Sequence, residues 1–272
     1  MRIAYQGEPG AFSEAAVLRL LPDAEPRPYP TFDEVFDAVS SGAVNLGVVP
    51  IENSIGGSIH RNYDLLVDHE IPITGEVELD VVHCLQALPG TKLSDVKTVY
   101  SHPQALAQCE RYLKDLGATV EAVYDTAGGA KLVAEQKLQG AAALASRRAA
   151  EVFGLDVLQE AVQDFEYNIT RFFVIGGTPP AEANKTTIVF ALPSTPGSLF
   201  KALSVFALRD INLSKLESRP IRGRPWEYLF YVDIESRRDD LPLARALTQL
   251  GEFAKWIRVL GTYKGWERKS AT

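Results

Sequence analysis

Through the first half of the chain, a short apolar run repeatedly breaks into a polar, Gly- or Pro-bearing turn and then into a helical pattern. "RIAYQG" precedes "PGAFSEAAVLRLL", where Phe12, Ala16 and Leu20 recur at helical spacing. "TFDEVFDAVSSG" opens on Thr31 with Glu34 three residues on and stops at Gly42, a capping-box start and a glycine stop, before the buried strand "NLGVVP". "VKTVYSHP", "VEAVYDT" and "AAALAS" read as further strands, and the helices "QALAQCERYLKDLG", "AGGAKLVAEQKLQG" and "RRAAEVFGL" come after them. Strand–helix alternation predicts mostly parallel sheets with helices on their faces. The pattern forms two α/β units, about residues 1–75 and 95–165, joined by the extended crossing "GEVELDVVHCLQALPG". "NITRFFVIGG" carries no helix of its own and is expected to return to the first lobe as an added strand.

The pattern changes after "GGTPPAEANK" (176–185), a Gly/Pro-rich linker. The rest of the chain reads β-α-β-β-α-β in about eighty residues, the ferredoxin-like arrangement. A chain of 272 residues with 46% hydrophobic and 23% charged residues buries a core without metal or disulfide staples. A net charge of −7 argues against nucleic-acid and anionic-membrane partners, which need a basic footprint. Cys84 and Cys109 are far apart and read as buried thiols, and no Cys/His cluster has metal-ligand spacing. No apolar run is of spanning length and the chain opens on a strand, so the cytoplasm is the expected location.

Polar residues gather where the strands end. "PIENS" puts Glu52 and Asn53 after a strand, "SHPQAL" does the same with Ser101, His102 and Gln104, and "NITRF" supplies Asn168, Thr170 and Arg171. Helix N-termini after such turns present free N–H groups to an anion. The plainer reading is that Ser101, Thr126 and Ser146 only cap helices, worth ~1 kcal/mol each.

Together these stretches resemble the prephenate dehydratase family: "GEPGAFS" (7–13), "PIENSIGG" (50–57), "SHPQALAQC" (101–109), "DTAGGA" (125–130) and "NITRF" (168–172). "GSLFKAL" (197–203) and "ESRP" (217–220) resemble effector motifs of the ACT domain fused to that enzyme. "GGSIHRNYDLL" and "LRDINL" look closer to plant-type arogenate dehydratases, and Gly129 stands where the family usually has alanine.

The resemblance implies an α/β fold. A two-lobed catalytic domain like type II periplasmic-binding proteins is expected over residues 1–178, with lobes at about 1–75 plus 168–178 and about 80–165. An α+β ferredoxin-like ACT domain is expected over 186–265. It implies loss of water and carbon dioxide from prephenate to give phenylpyruvate, or from arogenate to give phenylalanine. Thr170 falls on the catalytic threonine, assisting departure of hydroxide as donor or relay. Substrate contacts are expected from Glu52, Asn53, Ser54, Ser101, His102, Gln104, Thr126, Ala127, Asn168, Arg171 and Phe172, with no metal or organic cofactor.

Strand alternation puts Asn168, Thr170 and Phe172 on one face and Arg171 on the other, so Arg171 either clamps a ligand carboxylate from the side or pairs with an acid such as Glu52. For the second domain the resemblance implies L-phenylalanine between two ACT copies, at Pro196, Gly197, Ser198, Leu199, Asn212, Leu213, Glu217, Ser218, Arg219 and Pro220, in a homodimer or homotetramer. The competing readings are a purely structural dimerisation module there, and a non-catalytic small-acid sensor or a partner-binding regulator for the whole chain.

Overall fold

The computed structural model describes residues 1–267. In chain order the elements are β1 (Arg2–Gln6), α1 (Phe12–Leu20), β2 (Glu25–Tyr29), α2 (Phe32–Ser40), β3 (Leu46–Asn53), β4 (Gly57–Ser58), α3 (His60–Asp68), β5 (Ile73–Asp80) and β6 (Cys84–Ala87). Then come β7 (Thr98–Ser101), α4 (Pro103–Gln108), α5 (Glu110–Leu116), β8 (Thr119–Ala122), α6 (Thr126–Glu135), β9 (Ala141–Ala145), α7 (Arg147–Phe153), β10 (Asp156–Gln159) and β11 (Ile169–Ile175). The remaining elements are β12 (Lys185–Ala191), α8 (Ser198–Ala207), β13 (Leu213–Pro220), β14 (Tyr228–Ile234), α9 (Leu241–Phe253) and β15 (Trp256–Lys264). The chain divides into two compact units, Met1–Asn62 with Val77–Phe172, and Tyr63–Glu76 with Phe173 onward.

The first unit holds two strand groups. In one, β1 lies between β2 and β3, parallel to both, with Ile3, Ala4 and Tyr5 buried, and β11 lies beside β3. The sequence pattern does not reveal β2, because Pro26 and Pro28 suppress the strand signal; they are tolerated because β2 is the edge. Thr31 caps α2 as expected: its Oγ1 accepts the Glu34 N–H at 3.2 Å and donates to Glu34 Oε1 at 3.1 Å.

The other group runs β10-β6-β9-β7-β8. Its central strand β9, "AAALA", is buried throughout, and its small side chains let α6 pack against it. Gly129 lets α6 approach the neighbouring β7 as well, since a Cβ there would lie 2.9 Å from the Tyr100 carbonyl oxygen. The extended crossing "GEVELDVVHCLQALPG" resolves into β5 and β6, separated at residues 81–83.

The helix expected over "QALAQCERYLKDLG" is two, α4 and α5, broken at Cys109 (φ −121°, ψ 23°). The Gln108 carbonyl is taken at 2.7 Å by the Asp164 N–H, so it does not continue the helical ladder. Capping also differs from expectation. His102 and Asp125 cap α4 and α6 in place of Ser101 and Thr126, whereas Ser146 does cap α7, accepting the Ala149 N–H.

In the second unit β12, α8, β13, β14, α9 and β15 form an antiparallel sheet ordered β13-β14-β12-β15. Ile188, Phe190, Val205, Phe206, Val232 and Leu250 are in its core with both helices. Thr187, almost fully buried on β12, is satisfied by Asp233 Oδ1 at 2.7 Å and the Tyr263 hydroxyl at 2.8 Å. Asp64, at the start of this unit, takes both Arg219 and Arg222.

Candidate active site

A cavity of about 550 Å³ lies within the first unit. The first turns of α1 and α2 line it through Phe12, Ser13, Thr31 and Phe32, and the ends of β3 and β11 through Asn53, Thr170 and Phe172. Facing them are His83, His102, Gln104, Gln108, Asp125 and Thr126. No lysine or arginine is among the described lining residues. First-turn N–H groups have no partner in the helical ladder; at α2 Thr31 Oγ1 takes that of Glu34, and the remaining first-turn N–H groups of α1 and α2 are the main-chain donors this wall can offer beside the carboxylates of Asp33 and Asp125.

Behind Thr170 lies a buried amide network whose orientation the main chain dictates. Asn53 Oδ1 receives the N–H groups of Ile55 at 3.1 Å and Gly56 at 2.7 Å, which can only donate. Asn53 Nδ2 must therefore point the other way, where it donates to Asn168 Oδ1 at 2.7 Å, Thr170 Oγ1 at 3.0 Å and the Ile169 carbonyl at 3.3 Å. Asn168 Nδ2 in turn donates to Gln108 Oε1 at 3.0 Å, and Gln108 Nε2 reaches Asn53 Oδ1 at 3.4 Å. Thr170 thus accepts from Asn53, and its own hydroxyl proton remains for a ligand in the cavity.

The same logic fixes His83, which is 2% exposed. Its Nε2 lies 3.0 Å from Gln108 Oε1, an acceptor, so Nε2 carries the proton. Burial lowers the His83 pKa from 6.5, against the opposing bond to Gln108, so the ring is neutral near pH 7. Burial likewise lowers His102 and raises Asp125, whose carboxylate is partly relieved by the N–H groups of Gly128 and Glu8.

Of the residues named from sequence, Asn53, His102, Gln104, Thr126, Thr170 and Phe172 line the cavity. The others lie off its wall. Ser101 is fully buried and donates to the Leu144 carbonyl at 2.6 Å, and Ala127 is packed in α6. Ser54 bridges the chain, accepting the Ile169 N–H and donating to the Tyr167 carbonyl. Asn168 acts from behind, through the amide network. Arg171 points away from the cavity, as strand alternation requires, and pairs with Glu52 at 3.3 Å; of its two readings, the protein ion pair is the one present.

Sequence reasoning missed Phe12, Ser13, Thr31, His83, Gln108 and Asp125 as cavity residues. Phe12, Ser13, Gln108 and Asp125 stand inside the family-like motifs themselves; His83 has no local signal at all.

In the second unit the register Arg219↔Leu229↔Ala191 places "ESRP" at the end where β12 exits toward Pro196–Leu199. Leu213↔Ile234↔Thr186 places Asn212 and Leu213 at the opposite end. Gly197 (φ +78°) starts α8 without a side-chain cap, and Asn212 Nδ2 donates to Glu235 at 2.6 Å.

Comparison with known proteins gives matching family models over almost the whole chain. The prephenate dehydratase model matches residues 3–180 and the ACT domain model residues 186–252. The chain is 50% identical over 276 residues to the arogenate dehydratase/prephenate dehydratase 2, chloroplastic, of Arabidopsis thaliana, covering 97% of this chain and 72% of that one. It is similar to the prephenate dehydratase of Arthrobacter aurescens solved in complex with L-Phe, with TM-score 0.90, 30% identity and coverage of 100% and 92%. It is also similar to GqqA, described as a quorum quenching acylase, with TM-score 0.91, 35% identity and 98% coverage of each chain. The chain belongs to the prephenate dehydratase family and carries that family's catalytic module followed by an ACT domain.

Proposed function

We propose that this chain converts prephenate to phenylpyruvate, with Thr170 assisting departure of the ring hydroxyl. The observation that carries this is the polarity of the amide network: Thr170 Oγ1 accepts from Asn53, which leaves its proton to face the cavity. In the reaction the bond to the ring carboxylate breaks, its electron pair enters the ring, and the C–O bond breaks as the ring becomes aromatic. The carboxylate leaves as CO₂ and the hydroxide, gaining a proton, as water. A donor at the departing oxygen contributes ~10²–10⁴-fold. A hydroxyl is a weak acid, so Thr170 donates a hydrogen bond and water entering the cavity supplies the proton.

The substrate-contacting set is Asn53, His102, Gln104, Thr126, Thr170 and Phe172, with Gln108 beside them on the wall and Asn168 behind. Residues 1–178 serve as the catalytic domain and 186–265 as the regulatory one. The second reading is arogenate as substrate, which the name of the Arabidopsis relative supports alongside prephenate. The acylase description of GqqA is not carried over, because acyl transfer needs a hydroxyl or thiol paired with a base. Here the hydrogen bonds of the His83 and His102 rings go to Gln108 and to the Gln104 N–H, and among the described residues neither ring is paired with a hydroxyl or thiol.

The deciding experiment measures kcat/KM for prephenate, from phenylpyruvate absorbance, and for arogenate, from phenylalanine formed. Turnover of neither substrate refutes the proposal, and a higher value for arogenate selects the second reading.

L-phenylalanine is the proposed effector, acting between ACT copies in a cytoplasmic homodimer or homotetramer. The phenylalanine-bound relative and the ACT domain match support the effector, and exposed Phe200, Leu208 and Trp226 support self-association. If phenylalanine changes neither activity nor melting temperature, the effector is wrong.

A further inference from the structure

We infer that His83 is a positioning residue for the reaction, acting through Gln108 and Asn53 on Thr170. The inference rests on the proposed dehydratase function. Four side chains form a relay in which every member donates to the next. His83 Nε2–H donates to Gln108 Oε1, Gln108 Nε2–H to Asn53 Oδ1, and Asn53 Nδ2–H to Thr170 Oγ1. No member can reverse, because main-chain N–H groups hold Asn53 Oδ1. Hydrogen bonds aligned in one sense polarise one another, so each donor upstream makes the Thr170 O–H a better donor to the departing oxygen.

His83 heads the relay and is built in place from three sides. Its main-chain N–H donates to Gln163 Oε1 at 3.0 Å, its carbonyl receives the Val162 N–H at 3.1 Å, and the Phe12 ring meets the imidazole in an edge-on contact at 5.4 Å. Its Nδ1 has no hydrogen-bond partner among the described residues although the side chain is buried. The bond from Nε2 to Gln108 is therefore the one hydrogen bond of this ring among the described residues. Without it, Gln108 Oε1 keeps only Asn168, and the amide is free to turn from Asn53.

The test compares His83→Gln, whose amide nitrogen reaches roughly where Nε2 sits, with His83→Asn, which stops short of Gln108. Wild-type turnover is established first, so failure of the dehydratase reading shows before any variant is made. His83→Asn should lower kcat about tenfold or more with KM changed less than about threefold, and His83→Gln should recover to within about threefold of wild type. In a Gln108→Leu background, His83→Asn should change kcat by less than about twofold, because its route to Thr170 is already cut. Circular dichroism confirms that each variant is folded. Equal activity of the Gln and Asn variants, or an Asn effect that multiplies in full with Gln108→Leu, would overturn the inference.

Discussion

Replacing Thr170 with valine separates chemistry from stability, and the structure sets both magnitudes. Asn53 Nδ2 has two hydrogens and three acceptors, at 2.7, 3.0 and 3.3 Å. Removing the threonine oxygen leaves Asn168 Oδ1 and the Ile169 carbonyl, one for each hydrogen, so no buried donor is orphaned. Valine keeps the branched shape at a site 9% exposed, so the loss is one net hydrogen bond, about 1 kcal/mol. At an unfolding entropy of about 2.1 cal/mol/K per residue, that lowers the melting temperature of a chain this long by about 2 °C. On the role proposed for Thr170, the reaction loses the donor at its leaving oxygen and should slow by ~10²–10⁴-fold, about 3–5 kcal/mol in the barrier. Phenylpyruvate formation and differential scanning fluorimetry on one preparation read both numbers, with Thr170→Ser as the control that keeps the hydroxyl. Turnover within threefold of wild type, or a fall of more than about 6 °C in melting temperature, would refute the reasoning.

Glu14→Gln should cost about 1–3 kcal/mol in chemical denaturation. The Glu14 carboxylate is 8% exposed and holds the Gly10 N–H at 2.6 Å and Arg148 at 2.9 and 3.0 Å, but Arg148, 39% exposed, can rehydrate. Gly10→Ala should yield little folded protein by size-exclusion chromatography, because Gly10 has φ +88° and a Cβ would lie 2.6 Å from the Ala149 main chain. Stability should also fall on mild acidification. Burial lowers His83 and His102 below 6.5, so their contribution is fully present above pH 6.5 and is lost as pH falls toward their folded values. Asp125, raised by burial, has the opposite sign and acts nearer the carboxylate range. In denaturation from pH 7 down to 5, about the range over which histidine changes charge, His83→Gln should flatten the slope; an unchanged slope excludes His83 as its source.

What the sequence made legible was local. Strand ends, caps and ordered motifs are short-range signals, and they placed Asn53, Thr170 and Phe172 at one site. Alternation along β11 decided which side chains face inward, though only the fold shows that Arg171 meets Glu52. What stayed hidden depends on partners far away in the chain. The break at Cys109 is caused by Asp164, which takes the Gln108 carbonyl from outside the helix. His83 looks like an ordinary residue in an extended run, and only its contact with Gln108, 25 residues on, gives it a place behind Thr170. The edge position that excuses two prolines in β2 is likewise a property of the sheet.

A cavity without a lysine or arginine on its described wall has a consequence for how it can be altered. Peptide N–H groups at the starts of α1 and α2 are present whatever side chain they carry. Alanine scanning therefore leaves these donors intact and would undercount what holds an anionic ligand. Replacing a first-turn amide with an ester, or a first-turn residue with proline, removes one directly. Dissolved ions screen the attraction of these dipoles for an anion, so ligand affinity at a backbone-built wall should weaken as salt is added even with no cationic side chain to remove.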